Sequence, residues 1–292
     1  MFPAATGSQT GGSVLRPASY NGVVGLKPTF GRISRWGVIP VAWSLDTMGF
    51  FTRSVEDAAI MLHTLAGHDP KDHSSAAVET PRYPESIGAQ KRPPRIALVR
   101  QLFFDRCDKE VWEHTEATVR RLADAGAVVE ETLVDTDFEV LLASHRVLMS
   151  VECAAVHQKD FTARPNDYAP KVCALIESGM LTPAVTYVQA QRVRRRFRRA
   201  MEAAMEGFDL LLTPSTTSPA PRDLTTTGDA VFQSPWTACG FPTITLPSGL
   251  SESGLPLGVQ LASAPFAEET LLAAAHWCEE VLDVRLSPPL AA

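Results

Sequence analysis

The sequence predicts an α/β fold, with a mixed central sheet flanked by helices, in a single domain over residues 1–292. Short apolar segments typical of strands alternate with longer amphipathic segments typical of helices. A strand, a helix and a second strand follow one another over residues 95–131, which predicts parallel pairing and helix-covered sheet faces. Of the 292 residues, 45% are hydrophobic, so the chain can bury a large core.

The N-terminal part is predicted to change from loops to a helix near residue 54. Residues 1–52 are rich in Gly, Pro and Ser, which is typical of loops and short strands. Ser54 is expected to cap a helix, with Asp57 three residues on as in a capping box, and Gly67 ends it. Residues 68–94 are polar and contain prolines, which indicates a surface excursion inside one domain, with a domain linker as the alternative.

The remaining elements alternate along the chain. Strands are predicted at 95–99, 127–131, 209–213, 242–246 and 257–261, and helices at 109–125, 138–160, 183–205 and 268–282. Thr182 is expected to cap the third of these helices, with Pro183 in its first turn. Glu268 and Glu269 stand near the positive N-terminal end of the last helix. The later strands end in Thr/Ser/Pro turns, where open α/β sheets usually place ligand sites.

Composition excludes several classes of function. The net charge is −6, so nothing in the overall balance favours nucleic acid or an anionic membrane. The N-terminus has no basic start followed by an apolar run, so no signal peptide is expected from these residues. We expect no stretch to be long and apolar enough to span a bilayer. A cytoplasmic protein without nucleic-acid or membrane partners is therefore expected.

Metal and disulfide chemistry are also disfavoured. The five cysteines are odd in number and form no C-x-x-C pair, so buried free thiols in a reducing compartment are favoured. His63, His68 and His73 recur every five residues, with aspartates between them. Metal binding is one interpretation, but this spacing does not place side chains on one helix face, so a solvated loop is favoured. No metal or cofactor is expected.

Two further groups of residues allow two interpretations each. A basic run on a predicted helix comprises Arg192, Arg194, Arg195, Arg196, Arg198 and Arg199. It indicates either phosphate or nucleic-acid binding or a solvated face that pairs with the acidic remainder of the chain, and the second is favoured because the whole chain is acidic. Trp236 and Cys239 either line a ligand pocket or belong to the core.

The most informative segment is a glycine loop near the N-terminus, G-S-Q-T-G-G-S-V-L-R-P-A, in which Gly11 and Gly12 precede Ser13. Two glycines let the chain turn sharply and leave backbone N–H groups uncovered. Such groups can face a developing oxyanion while the serine hydroxyl attacks a carbonyl carbon. A plain turn is the main alternative. A phosphate-binding loop is disfavoured because no Lys follows the glycines as in a Walker A motif.

The segments around and after this loop closely resemble the amidase-signature family, whose members hydrolyse non-peptide C–N amide bonds. The matching segments include Y-N-G-V-V-G-L-K-P-T-F-G-R-I-S, D-L-L-L-T-P-S-T-T, G-F-P-T-I-T-L-P-S-G and G-L-P-L-G-V-Q-L. The resemblance runs from Gly7 to about Leu282, and it implies the amidase-signature fold.

The resemblance also implies roles for the loop residues. Ser13 would form the acyl-enzyme, and the backbone N–H groups around Thr10, Gly11 and Gly12 would form the oxyanion hole. The family's other two catalytic residues, a lysine base and a bridging serine, would lie upstream. Only twelve residues precede Ser13, none is Lys, and Ser8 is too close to match the bridging serine. The resemblance thus predicts an N-terminally truncated chain, inactive or weakly active alone.

The favoured hypothesis is an amidase that cleaves a small-molecule amide without cofactors, through an acyl-Ser13 intermediate. The alternative is a non-catalytic relic or a subunit completed by another chain, and the amidase subunit of a tRNA-dependent amidotransferase ranks lower. That subunit's S-x-D-Q-I-G-P run is replaced here by S-L-D-T-M-G-F. Neither Lys27, interpreted as structural, nor any of the seven histidines is expected to replace the base. A homo-oligomer is left open, because a truncated chain would expose apolar surface.

Overall fold

The computed structural model describes residues 3–88 and 92–288. Within these residues a single mixed sheet has the strand order β1-β3-β2-β7-β8-β6-β4-β5. The strands are β1 (Ala5–Gln9), β2 (Val24–Lys27), β3 (Thr47–Thr52), β4 (Arg95–Val99), β5 (Val128–Thr132), β6 (Leu210–Pro214), β7 (Thr243–Leu250) and β8 (Pro256–Ala262). Strand β4 runs parallel to β5 and β6, and the other pairs are antiparallel. The predicted fold class and the parallel β4–β5 pair are confirmed.

Helices lie on both faces of the sheet. They are α1 (Leu15–Asn21), α2 (Val55–Leu65), α3 (Tyr83–Ser86), α4 (Phe103–Arg106), α5 (Lys109–Asp124), α6 (Phe138–Ala163), α7 (Pro170–Leu181), α8 (Ala184–Ala204), α9 (Ser234–Cys239) and α10 (Glu268–Leu282). The predicted cap of α2 is confirmed, because the Ser54 hydroxyl accepts a hydrogen bond from the Asp57 N–H at 3.1 Å. Helices α1, α3, α4, α7 and α9 are additions to the predicted set.

The predicted cap of α8 is wrong. Thr182 follows the unpredicted helix α7, and its hydroxyl donates back to the Ser178 carbonyl of that helix at 2.7 Å. Pro183 occupies the N-cap of α8 without a side-chain hydrogen bond. The sequence could not separate these alternatives, because a threonine between two adjoining helices can serve either one.

The core has two main parts, one on each face of the sheet. Along β4, Ile96 and Leu98 pack with α2, α5 and α10, whereas Ala97 and Val99 pack with α4, α8 and α9. This alternation is the period-2 pattern of a strand buried on both faces. Helix α1 lies against β2, β7 and β8, and Gly25 of β2 permits that approach. A Cβ at Gly25 would lie 2.4 Å from the Ala18 Cβ.

Helix α6 contradicts the expectation that no stretch could span a membrane. It is 26 residues long and, by length and composition alone, apolar enough to cross a bilayer. Half of its most apolar 18-residue stretch is buried inside the fold, where α6 packs against α7, α8 and α9. A buried core helix passes the same test, and its packing here is of that kind.

The polar excursion after α2 lies partly on the surface and partly in the core. Asp69 accepts from the Ser34 hydroxyl at 2.6 Å, and Asp72 accepts from the Arg35 N–H at 2.8 Å, so this segment folds back on residues 31–36. Tyr83 of α3 is fully buried in the core beside α10. Residues 89–91 of the predicted excursion lie outside the described residues.

Candidate active site

The glycine loop connects edge strand β1 to helix α1. Ser13 stands two residues before α1, and its side chain is exposed to solvent. Within residues 3–88 and 92–288, its hydroxyl has no hydrogen-bond partner. The position leaves Oγ free to approach a substrate carbonyl, which a nucleophilic serine requires.

Three consecutive backbone N–H groups around Ser13 are not engaged in hydrogen bonds within the described structure, whereas the neighbouring carbonyls accept hydrogen bonds. Among the described residues, none accepts a hydrogen bond from the N–H of Gly11, Gly12 or Ser13. The Gly11 carbonyl accepts from the Thr237 hydroxyl at 2.8 Å, and the Gly12 carbonyl accepts from the Arg16 N–H at 3.1 Å. Adjacent free donors beside a hydroxyl can stabilise an oxyanion that forms when this hydroxyl attacks a carbonyl.

The two glycines of the loop differ in whether a larger residue could fit at their position. A Cβ at Gly12 would lie 2.9 Å from Gln233 Oε1 and 3.0 Å from the Ala230 Cβ, so a side chain there would collide. At Gly11 a Cβ would make only an ordinary contact of 3.7 Å. Neither glycine has a positive φ. Close packing at Gly12, rather than left-handed backbone, therefore requires the glycine.

Thr10 joins the glycine loop to the loop formed by residues 34–46. Its hydroxyl donates to Asp46 Oδ1 at 2.5 Å, while Asp46 Oδ2 accepts from the N–H groups of Val41 at 2.8 Å and Ala42 at 3.0 Å. Asp46 is nearly buried. The sequence reasoning noted it only as part of S-L-D-T-M-G, because its partner Thr10 lies 36 residues away.

A cavity of about 340 Å³ lies on the Thr10 side of the loop. Strand residues Ser8 and Met48 line one wall, and the 34–46 loop lines another with Trp36, Ile39 and Trp43. Ser13 is not among the lining residues. The cavity thus offers apolar surface for a small ligand next to the loop.

Neither Lys27 nor His145 is hydrogen-bonded to Ser13 in the described structure. The Lys27 ammonium is fully buried and donates to the carbonyls of Pro28 at 3.0 Å and Phe241 at 2.5 Å. Burial lowers the pKa of Lys27 to about 8. On α6, burial followed by the Arg194 charge lowers the pKa of His145 to about 4, against an opposing contribution from the Thr10 backbone. In the part of the chain that the structure describes, no lysine or histidine hydrogen-bonds to the Ser13 hydroxyl.

The other sequence candidates lie away from the loop or in the core. Trp236 and Cys239 are fully buried in the core cluster of α8 and α9, and they do not line the cavity. The described residues contain no group of three or more His, Cys, Asp or Glu side chains placed to hold a metal ion. All five cysteines are free.

The arginine run divides into one buried residue and an exposed face. Arg194 is largely buried and donates to the carbonyls of Ala238 at 2.7 Å and Ser44 at 2.6 Å. Of the others, Arg198 pairs with Glu202 at 2.9 Å. Arg192, Arg195, Arg196 and Arg199 make no ion pair within the described ranges. The predicted pairing with the acidic remainder of the chain is therefore limited to Arg198.

Arg16 ties the segment after Ser13 to a distant loop, a contact that the sequence did not indicate. It follows Ser13 by three residues, and its guanidinium donates to the Gly228 carbonyl at 3.1 Å and the Thr227 hydroxyl at 3.0 Å. Burial lowers the pKa of Arg16. Its partners lie more than 200 residues away, so no local pattern could indicate the contact.

The sequence of this chain matches one family model and several curated relatives over most of its length. The family model described as Amidase matches residues 1–272. The glutamyl-tRNA(Gln) amidotransferase A subunit of Thermodesulfovibrio yellowstonii is 33% identical over 95% of this chain, which spans 63% of that protein. Its counterpart of the same name in Rhodospirillum rubrum is 36% identical over 92% of this chain, which spans 60% of it.

Solved structures show the same similarity at the level of the fold. A chain from a vestigial protein complex, described with the evolutionary origins of an s-triazine catabolic enzyme, superposes with a TM-score of 0.87 and 30% identity. The match covers 97% of this chain and 64% of that one. The native peptide amidase of Stenotrophomonas maltophilia superposes with a TM-score of 0.84 and 27% identity, covering 99% of this chain and 64% of the amidase.

Proposed function

This chain belongs to the amidase signature family, and we propose that it acts in the hydrolysis of a small-molecule C–N amide bond through an acyl intermediate on Ser13. The observation that carries the proposal is the exposed Ser13 hydroxyl beside the free N–H groups of Gly11, Gly12 and Ser13. The cavity on the Thr10 side supplies apolar surface for a small substrate. No step of this proposal uses a metal or an organic cofactor.

The proposed reaction begins with attack of Ser13 Oγ on the amide carbonyl carbon. The carbonyl oxygen gains negative charge, and the free N–H groups of the loop stabilise it. Collapse of this intermediate breaks the C–N bond, leaves the acyl group on Ser13 and releases an amine. Water then attacks the acyl group, releases the carboxylic acid and restores the serine.

The proton transfers require a group that the described residues do not place at Ser13. A base must take the hydroxyl proton, and an acid must protonate the departing nitrogen. The chain spans 60–66% of the length of its matched amidotransferase relatives. We propose that the proton-transfer group lies outside the described residues, on a partner chain or on polypeptide that the relatives have in addition. A cytoplasmic location stays a prediction.

The first test is labelling and turnover by a polypeptide of residues 1–292. We expect amide hydrolysis at background. Ser13 should be slowly acylated by an activated ester and slowly phosphonylated by a fluorophosphonate, because the alkoxide or phenolate and the fluoride leave as anions without protonation. Ser13→Ala should abolish the labelling with little change in thermal stability. Ser178→Ala, an exposed serine on α7 that does not line the cavity, is the matched control and should keep the labelling.

Two outcomes would contradict the proposal. Labelling that persists in the Ser13→Ala variant would exclude Ser13 as the nucleophile. Amide turnover at ordinary enzyme rates that depends on Ser13 would show a base within residues 1–292, and the placement of that group elsewhere would fail.

A second candidate is the amidase subunit of an amidotransferase. The relatives named as glutamyl-tRNA(Gln) amidotransferase subunits, at 33–36% identity, favour it. The S-L-D-T-M-G-F segment departs from the run typical of that subunit. The acylation rates of Ser13 by an activated γ-ester of glutamate and by a small apolar ester distinguish the two. A strong preference for the glutamate ester would favour the amidotransferase.

A further inference from the structure

Thr237 on helix α9 controls the direction of one peptide plane in the glycine loop. Its buried hydroxyl donates to the Gly11 carbonyl at 2.8 Å. The peptide between Gly11 and Gly12 is planar and trans, so its carbonyl and its N–H point in opposite directions. A hydrogen bond that holds the Gly11 carbonyl toward α9 therefore turns the Gly12 N–H away from α9. No acceptor for this N–H lies among the described residues.

Gln9 at the end of β1 holds this hydroxyl in place. The Gln9 side-chain Nε2 donates to Thr237 Oγ1 at 2.9 Å. A threonine hydroxyl has one proton to give. Because the Thr237 oxygen accepts a hydrogen bond from Gln9, the hydroxyl proton of Thr237 is left to be donated to a carbonyl. The nearest is that of Gly11, at 2.8 Å, against 3.3 Å for the Gln233 carbonyl.

The same glutamine also engages the two N–H groups that follow Ser13. Its Oε1 accepts from the N–H of Val14 at 2.9 Å and of Leu15 at 3.0 Å. Gln9 has no exposed surface, so solvent does not compete for these bonds. The Gln9 side-chain amide thus fixes the loop backbone on both sides of Ser13. It acts through Thr237 on the residues before Ser13, and it bonds directly to the residues after Ser13.

We propose that Gln9 and Thr237 are positioning residues that aim the Gly12 N–H at the oxyanion of the acyl-transfer reaction. This inference rests on the proposed function of Ser13. A purely structural role for the pair would change stability, but it would not change the chemical reactivity of Ser13 in the folded protein. The two roles therefore differ in a measurable rate.

The test is the kinetics of Ser13 acylation by an activated ester, such as a p-nitrophenyl ester, in the 292-residue chain. The dependence of the rate on reagent concentration separates the maximal acylation rate from reagent binding. Thr237→Val keeps the shape of the side chain but removes the hydroxyl. Removal of one oxyanion donor costs on the order of 10²–10³-fold in rate, and we expect misdirection of the Gly12 N–H to cost about 10- to 100-fold, with reagent binding little changed.

Two variants distinguish positioning from general damage. Thr237→Ser keeps the hydroxyl and should restore the acylation rate. Thr245→Val is the matched control, since Thr245 is equally buried and donates to the Leu15 carbonyl at 3.2 Å without contacting Gly11. An unchanged rate in Thr237→Val, or an equal loss in Thr245→Val, would overturn the inference.

A structural measurement keeps the inference testable if the wild-type chain is not labelled, a result that would count against the proposed function alone. A crystal structure of the Thr237→Val variant should show the Gly11–Gly12 peptide rotated or in two orientations. A peptide in its wild-type orientation would refute the positioning role, whatever the reactivity of Ser13.

Discussion

Two tryptophans near the glycine loop show how differently its two sides are built. Trp236 of α9 precedes Thr237, has no exposed surface and stacks on Phe103 with ring centroids 5.8 Å apart. Trp36 of the 34–46 loop lines the cavity on the Thr10 side and is 63% exposed. The side that holds the loop backbone is therefore densely packed, and the side on which a ligand would lie is open. Rigid support beneath free donors is the arrangement that oxyanion stabilisation requires.

Substitution of each tryptophan by alanine gives the largest expected difference in stability between these two regions. Trp236→Ala leaves a cavity in the core and should reduce the free energy of unfolding by about 3–5 kcal/mol. Trp36→Ala removes an exposed side chain and should change it by less than about 0.5 kcal/mol. Urea unfolding of the two variants and the wild type measures both effects. Similar losses in the two would show that the 34–46 loop is part of the folded core.

Acid should destabilise the packed side through His145. Its pKa is lowered to about 4 by burial, whereas an unperturbed histidine titrates near 6.5. Between these values the unfolded chain binds a proton that the folded chain does not. Stability therefore falls as the pH falls from about 6.5 to 4, by about 3 kcal/mol for a shift of this size.

The contribution of His145 can be isolated from that of other titrating groups. His145→Asn removes the titration, so the loss of stability between pH 7 and pH 4 should be smaller in this variant than in the wild type. The measurement is urea unfolding at a series of pH values. Parallel curves for the two proteins would show that His145 is protonated equally in the folded and unfolded states.

The comparison also shows which features could be predicted from sequence. The cap of α2 and strands β4 and β6 depend on neighbouring residues, and local patterns predicted them. The Gln9–Thr237 hydrogen bond joins residues 228 positions apart, and the Thr10–Asp46 bond joins residues 36 apart. Such pairs arise only from the sheet order and from the packing of α9 beneath the loop, so no spacing in the sequence could indicate them.

The glycine loop illustrates the same limit at one residue. Its composition predicted a sharp turn with exposed N–H groups. The structure instead explains Gly12 by its close approach to Ala230 and Gln233, from a segment more than 200 residues later. The sequence singles out the loop as a candidate, whereas tertiary packing determines its geometry.

The exposed apolar surface of the 34–46 loop has the smallest expected effect on stability, but we expect it to cause self-association in solution. Apolar side chains of the 34–46 loop are exposed together, namely Trp36, Val38, Ile39, Val41 and Trp43. In the described sheet, β1 is the edge strand next to them and pairs with β3 alone. Exposed apolar surface beside an unpaired strand edge favours association. We therefore expect the 292-residue chain to bind a hydrophobic dye and to self-associate.

Substitution within the loop separates this surface from general exposure. The double variant Trp36→Ser, Ile39→Ser should lower both dye fluorescence and the weight-average mass in sedimentation. Its free energy of unfolding should change by less than about 0.5 kcal/mol, because neither side chain is buried. Leu224→Ser is the control, since Leu224 is almost fully exposed but lies outside the loop. A monomeric wild-type chain that binds no dye would mean that the apolar side chains do not act as one surface, and the predicted association would be wrong.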